Sequence, residues 1–320
     1  MASESDRRAK DGKIVITGAA GLVGQNLVRR LVAQGYSRIV GIDKHPRNTP
    51  KLSALVPEIE VVEADLAQPG GWERHLEGAD VLVLNQAQIS GLTYEVFERN
   101  NLGATRQLLD AARRAAVPYI VHISSSVVRS KADDFYSRSK KAQEEMVRAS
   151  GLAHCVLRPT LMFGWFDRKH LGWLKRFLER APLFPVPGNG AFIRQPLYVG
   201  DFCDIIIACM AERPAGEVFE ISGLEKVTYI DMIRTIRRVV SARTPIVKVP
   251  YPVFWGLLWL AGKVLRDPPF TTQQLEALVI PETFPVFDWP ARFGTRHTPF
   301  EEAVRSTFLD PEHSHVELEF

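Results

Sequence analysis

Three glycines set directly after a short β-branched run constrain this chain more than any other feature. Lys13–Thr17 (KIVIT) runs into Gly18-Ala-Ala-Gly21-Leu-Val-Gly24, which opens the helix-like stretch Leu22–Ala33. Strand, glycine turn and helix in that order present a helix N-terminus whose unpaired N–H groups and partial positive charge attract anions. The first glycine suits the tight turn, the second a close approach of a pyrophosphate, and the third tight packing of helix on strand. The pattern predicts a dinucleotide held by its phosphates at Gly18, Gly21, Leu22, Val23 and Gly24.

Similar units follow. Apolar runs at Arg38–Ile42, Ile59–Val62, Val81–Leu84, Tyr119–Ile123 and His154–Leu157 are separated by loops or by helical patterns, notably Thr93–Ala116 and Tyr136–Ala149. Near-continuous apolar strands between amphipathic helices predict an α/β fold, a Rossmann-type doubly wound parallel sheet covered on both faces. After about residue 160 Pro and Gly clusters separate shorter elements, with helices expected at Leu171–Arg180, Asp201–Ala211, Thr228–Ser241, Pro252–Leu265 and Phe300–Phe308. The expected organisation is a disordered N-terminus over 1–12, an NAD(P)-binding domain over 13–165 with returning segments near 191–222, and a smaller C-terminal α/β substrate lobe over 166–310. Residues 311–320 read as a loose tail, disordered or vector-derived.

Composition excludes alternatives. With 320 residues, 46% hydrophobic and 24% charged, the chain is neither disordered, collagenous nor coiled coil. Forty Lys and Arg against 37 Asp and Glu are interspersed, so no basic stripe argues for nucleic acid. Cys155, Cys203 and Cys209 form no CxxC, and the eight histidines show no metal spacing, so reduced thiols and no metal are expected. The polar N-terminus lacks a signal-peptide pattern, and Val253–Gly262 falls short of the roughly 20 residues of a membrane span. A cytoplasmic protein without a transmembrane span is therefore expected. Trp255, Leu258, Trp259 and Val264 make an apolar helix face, read as core or as a lid over the substrate pocket. The other reading is a membrane-surface or lipid-linked role, with Lys263 and Arg266 at its end.

Asp43 ends the second strand 19 residues after Gly24, where a carboxylate accepts from adenosine ribose hydroxyls and repels a 2′-phosphate. That favours NAD, although nearby Lys44 and Arg47 leave NADP open. Asp65 and Leu66, after the third strand, reach the adenine edge or form a surface loop. Tyr136 and Lys140 are four apart on a predicted helix and so share a face. An ammonium beside a phenol favours the phenolate, which makes a tyrosine usable as a general acid/base near neutrality.

The glycine triplet, Asp65, Asn101-Leu-Gly-Ala-Thr105, Ile123-Ser-Ser-Ser126, Tyr136-Ser-Arg-Ser-Lys140 and Leu157-Arg-Pro-Thr160 occur in order within residues 13–310. Together they resemble the extended short-chain dehydrogenase/reductase superfamily, of the NAD-dependent epimerase/dehydratase type. The resemblance implies that Lys140 also holds the nicotinamide ribose and that Ser125, or Ser126 one residue on, orients the substrate oxygen. It implies further cofactor contacts from Leu84, Asn101 and Arg158, and a homodimer. The implied chemistry is hydride transfer at a carbinol carbon, with Tyr136 moving the hydroxyl proton. Arg194-Gln-Pro-Leu-Tyr-Val-Gly-Asp201 resembles the segment whose arginine grips the diphosphate of a nucleotide sugar, with Arg292 as a second candidate. An epimerase, dehydratase or ketoreductase of a nucleotide-activated sugar is thus expected.

Departures keep two alternatives open. The loop from Ser126 to Tyr136 is short, Arg129-Ser130 replaces a Tyr-Gly, Leu84-Asn85-Gln86-Ala87 stands where His-Leu-Ala-Ala is common, and Leu161 replaces an asparagine. These resemble the divergent branch near the respiratory complex I accessory subunit, which implies a cofactor-holding accessory or assembly protein. The aromatic residues around Trp255–Trp259 suit a dehydrogenase of steroid-like or other apolar alcohols.

Overall fold

The computed structural model describes residues 10–130, 133–264, 270–281, 283–316 and 318–319. Most of the expected disordered N-terminus, residues 1–9, lies outside them. Six strands follow the predicted runs: β1 (Ile14–Thr17), β2 (Ile39–Asp43), β3 (Glu60–Glu63), β4 (Val81–Leu84), β5 (Ile120–Ile123) and β6 (His154–Pro159). Short strands β7 (Met162–Phe163), β8 (Phe184–Pro187), β9 (Ile193–Arg194) and β10 (Leu197–Tyr198) come next, before β11 (Val218–Ile221) returns to pair with β6. Two more, β12 (Val227–Thr228) and β13 (Ile246–Val249), pair with β9 and β8. The main sheet has the order β3-β2-β1-β4-β5-β6-β11 and every pairing in it is parallel. Strand order reverses between β1 and β4, and ligands of such sheets bind outside the carboxyl ends at that switch point.

Strand alternation distributes the core. Ile14 and Ile16 of β1 join an apolar cluster with helix α1 (Leu22–Ala33), while Val15 faces the opposite cluster. Helix α2 (Asn48–Leu55) follows β2, and a crossover of α3 (Tyr94–Phe97) and α4 (Ala104–Arg114) links β4 to β5. Helix α5 (Phe135–Arg148) then leads to β6. The stretch expected as one helix over Thr93–Ala116 is interrupted, because Glu98–Gly103 forms a π-helical turn between α3 and α4. That wider turn carries the fully buried Asn101 and is a device often found at functional sites.

Beyond β6 the helices are α6 (Leu171–Arg180), α7 (Val199–Glu212), α8 (Tyr229–Val239), α9 (Tyr251–Val264), α10 (Thr272–Val279), α11 (Trp289–Phe293) and α12 (Phe300–Leu309). Helix α7 belongs to the same apolar cluster as α1, and α6, α8, α12 and β8 enclose a separate one around Leu178, Val186 and Ile233. Helix α9 departs from expectation: none of its residues is buried, so it is not a core helix. Its predicted last residue, Leu265, lies outside the described residues. The tail departs too. The His313 ring stacks on Trp165 at 4.2 Å, Leu318 is fully buried, and the Asn48 amide exchanges two hydrogen bonds with the Glu319 backbone, at 2.7 and 2.8 Å. Apolar and amide partners on distant segments hold it, which a reading of its polar composition missed. Among the described residues all three cysteines are free and buried, no metal-ligand cluster occurs, and no helix is long and apolar enough to cross a membrane.

Candidate active site

The glycine loop crosses the carboxyl end of β1. Gly18 has φ +65°, and a Cβ there would lie 2.9 Å from the Gln86 Cα, so both turn and neighbour demand glycine. At Gly24 a Cβ would lie 2.4 Å from the Gly18 oxygen and 2.5 Å from the Ala19 Cα, which makes it the packing glycine. Gly21 differs: its φ is −82° and a Cβ would touch only the Gly18 oxygen at 3.4 Å. The protein itself does not need glycine there, so the bare backbone serves what approaches from outside. Gly21 is the N-cap of α1 and makes no side-chain capping bond. The first-turn amides of Leu22, Val23 and Gly24 thus form an anion cradle that fits a pyrophosphate.

Asp43 lies at the end of β2 and accepts from the Ala20 and His45 amides, both at 2.9 Å, which fixes its carboxylate against this loop. The two cations that left a 2′-phosphate open are committed elsewhere. Lys44 donates to Asn100 Oδ1 at 2.6 Å, and Arg47 pairs with Glu319 at 2.8 Å. Burial works to raise the Asp65 pKa, but hydrogen bonds from Arg99 and the Ala67 amide, with the Lys44 charge, lower it overall. Asp65 is therefore an anchored anion after β3. Leu66 and Leu84 are buried in the apolar cluster beneath this end of the sheet.

Beyond β5 the Ser125 hydroxyl lies beside the Tyr136 phenol. Ser125 also accepts from Val127 N at 3.4 Å, capping the short helical turn that Ser126 opens. Asp134 caps α5 by accepting from the amide and hydroxyl of Ser137, at 3.0 and 2.7 Å, and so fixes the turn that carries Tyr136. Lys140 is 1% exposed, and its amine donates to Ile123 O at 3.0 Å and Gln143 Oε1 at 2.5 Å. Burial, only partly offset by Glu144, brings its pKa down to about 7. Tyr136 does not follow the expectation from spacing. Burial raises its pKa, the Ser125 hydrogen bond opposes that, and Asp134 adds to it. The amine that would favour the phenolate is turned toward Ile123 and Gln143, so the phenol keeps its proton at neutral pH.

A buried polar chain joins this pair to the glycine loop. The Thr17 hydroxyl lies 2.5 Å from Gln86 Oε1, and Gln86 and Gln143 both donate to the Thr105 hydroxyl, at 3.3 and 2.9 Å. Asn101 donates to Ser139 Oγ at 2.9 Å and bonds both backbone groups of Gln88, tying the π-helical turn to α5 beside Lys140. Gln86, Gln143 and Asp134 were missed from the sequence. The signals were a residue three before Ser137 and one three after Lys140, both at helix-neighbour spacing.

Three expected ligand arginines are placed elsewhere. Arg158 sits between Glu144 and Glu220, in an ion network linking α5 to β11, and not on the glycine loop. Arg194 is largely buried, and its guanidinium donates to the carbonyls of Leu278 and, at 2.8 Å, Ile280, at the end of α10. Arg292 pairs with Glu212 at 2.6 Å and lies 3.7 Å from Glu217, which precedes β11. That is the amino edge of the sheet, opposite the edge that carries Tyr136. In each case an acid or a carbonyl supplied by a distant segment has taken the charge.

An anion cradle on the first helix of an all-parallel sheet, beside a carboxylate at the end of the next strand, defines a dinucleotide-binding protein of the doubly wound class. Residues 14–222 match the NAD dependent epimerase/dehydratase family, and the chain belongs to that family. It is 30% identical over 243 residues to a ceramide reductase of Caulobacter vibrioides, covering 75% of this chain and 74% of the relative. It is 23% identical over 274 residues to a 3 beta-hydroxysteroid dehydrogenase/Delta 5-->4-isomerase of Mycobacterium tuberculosis, covering 75% and 73% of the two chains. The solved dTDP-glucose 4,6-dehydratase DesIV of Streptomyces venezuelae, with NAD bound, shares the fold at TM-score 0.70 and 21% identity, over 92% of this chain and 95% of that one. NAD is the cofactor of the family, and the residues above fit it.

Proposed function

We propose that this protein is an NAD-dependent oxidoreductase that interconverts a ketone and a secondary alcohol on an apolar, lipid-like substrate. The observation that carries this reading is the surface of the catalytic edge. Exposed apolar side chains leave all three strands there: Ile89, Leu92 (97% exposed) and Val96 after β4, Phe135 after β5 and Leu161 after β6. Such a rim suits a substrate that buries hydrocarbon. Arg194, the candidate grip for a diphosphate, is spent on backbone carbonyls. The two relatives named above, a ceramide reductase and a 3 beta-hydroxysteroid dehydrogenase/isomerase, support the same class.

NAD, when bound, supplies the hydride donor or acceptor. Gly21, the first turn of α1 and Asp43 hold it by phosphate and adenosine ribose. In the reducing direction Tyr136 donates its proton to the carbonyl oxygen, the Ser125 hydroxyl orients that oxygen, and the phenolate takes a proton back from solvent. Burial keeps the Tyr136 phenol in its protonated, donating form at neutral pH.

The test is NADH consumption by the purified protein on long-chain ketones and ketosteroids, beside a panel of UDP-, GDP- and dTDP-sugars. Turnover of an apolar ketone is expected, falling about 100-fold or more in Tyr136→Phe. Turnover confined to a nucleotide sugar, the substrate class suggested by the fold likeness, would overturn the apolar reading. Tight NAD binding with no turnover on either panel would favour the accessory role.

A further inference from the structure

We propose that helix α9 docks this protein on the surface of an anionic lipid bilayer. Tyr251–Val264 reads YPVFWGLLWLAGKV and not one of its residues is buried. Val253, Leu257, Leu260 and Val264 share the outward stripe at helical spacing, with Leu257 59% and Val264 75% exposed. An apolar helix of this length is either a core helix or an interfacial segment. The absence of any buried residue among the fourteen excludes the first.

Lipid, and not a protein groove, fits the distribution of side chains. Helix α9 carries apolar residues on the half-buried face of Phe254, Trp255 and Leu258 and again on its exposed face, with a single charge, Lys263. That amine lies over the Trp259 ring, 5.1 Å from its centroid. It can extend to headgroups while its stem stays on the apolar face. Charge complementarity points the same way. Residues 243–264 contain Arg243, Lys248 and Lys263 and no acid, in a chain whose 40 cations are otherwise nearly matched by 37 anions. Glu276 of α10 accepts from Trp255 Nε1 at 3.0 Å and so fixes one indole toward the protein. Trp259 is half exposed on the outer side, as an interfacial aromatic would be. The exposed Val247 in the strand just before α9 and Ile280 just after α10 extend the surface.

The docking proposal does not depend on which ketone is reduced. Its test uses the full chain with phosphatidylcholine vesicles, with and without phosphatidylglycerol, read by co-sedimentation and by tryptophan emission. Wild type is expected to bind the anionic vesicles with a blue-shifted emission, less to neutral ones and less at high salt. Leu257→Glu/Leu260→Glu, at two exposed positions, is expected to lower vesicle binding about tenfold or more while leaving NAD binding and Tm unchanged. Lys263→Glu is expected to weaken the preference for anionic lipid. No co-sedimentation of wild type, or equal binding by the double variant, would overturn the proposal. So would a wild-type dimer in light scattering that the double variant splits without any vesicle binding, since the face would then belong to a second copy.

Discussion

Lys140 shows how far a single buried side chain departs from its ordinary chemistry. Its pKa is about 7 in the folded chain against an ordinary 10.5. Between those values the unfolded chain holds a proton that the folded chain lacks, so stability rises with pH across the window and is lost as pH falls to about 7. Lys140→Met removes that dependence, so the Tm difference between variant and wild type should grow steadily from pH 10 down to pH 7, whatever its absolute offset. A difference independent of pH would show that the amine is not depressed. Arg47 gives a second prediction. Glu319→Gln breaks its ion pair, whose partners are partly exposed and add little stability, and releases the guanidinium beside the adenosine ribose position. NADP binding, measured by titration calorimetry, should tighten several-fold with NAD unchanged; unaltered NADP affinity would refute this role. At this scale the sequence was readable wherever the cause was local. Gly18 and Gly24 are dictated by a turn and by helix contact a few residues away. The partners of Arg158, Arg194 and Arg292 were not legible, because only the tertiary fold brings them near.

Elements were legible by period and blurred by packing. Alternating apolar runs located all six strands that precede the switch into the second half, and the returning β11 falls within the segment anticipated near 191–222. The helix over Thr93–Ala116 was read as continuous because apolar spacing does not register a single wider turn. The π-helical residues Glu98–Gly103 exist to set Asn101 against Ser139 and Gln88, and that gain is invisible in one dimension. The pairing of β9 with α10 is also tertiary. Arg194 closes the C-terminal end of α10 through the Leu278 and Ile280 carbonyls, a favourable place for a cation. Arg194→Met should cost about 1.5–3 kcal/mol and speed proteolysis within 270–281, while the KM for an apolar ketone changes little. A KM increase for a nucleotide sugar at unchanged Tm would instead return Arg194 to the diphosphate role.

For the whole molecule, strand order carried most of the information. Parallel βα units with a glycine loop on the first strand led to a doubly wound parallel sheet. Composition could not show how apolar surface is divided between interior and exterior. The 46% hydrophobic content includes both the two-sided core and the residues left in water on α9 and around Tyr136. The tail was the other hidden feature. Asn48 and Glu319 are 271 residues apart and hydrogen-bond through both amide groups. A contact of that range forms late, because the chain between its ends must already be ordered. Synthesis therefore delivers the glycine loop well before the segment that hydrogen-bonds α2. A nascent chain carrying the complete glycine loop still lacks the clasp on α2. That clasp closes only once residue 319 is in place.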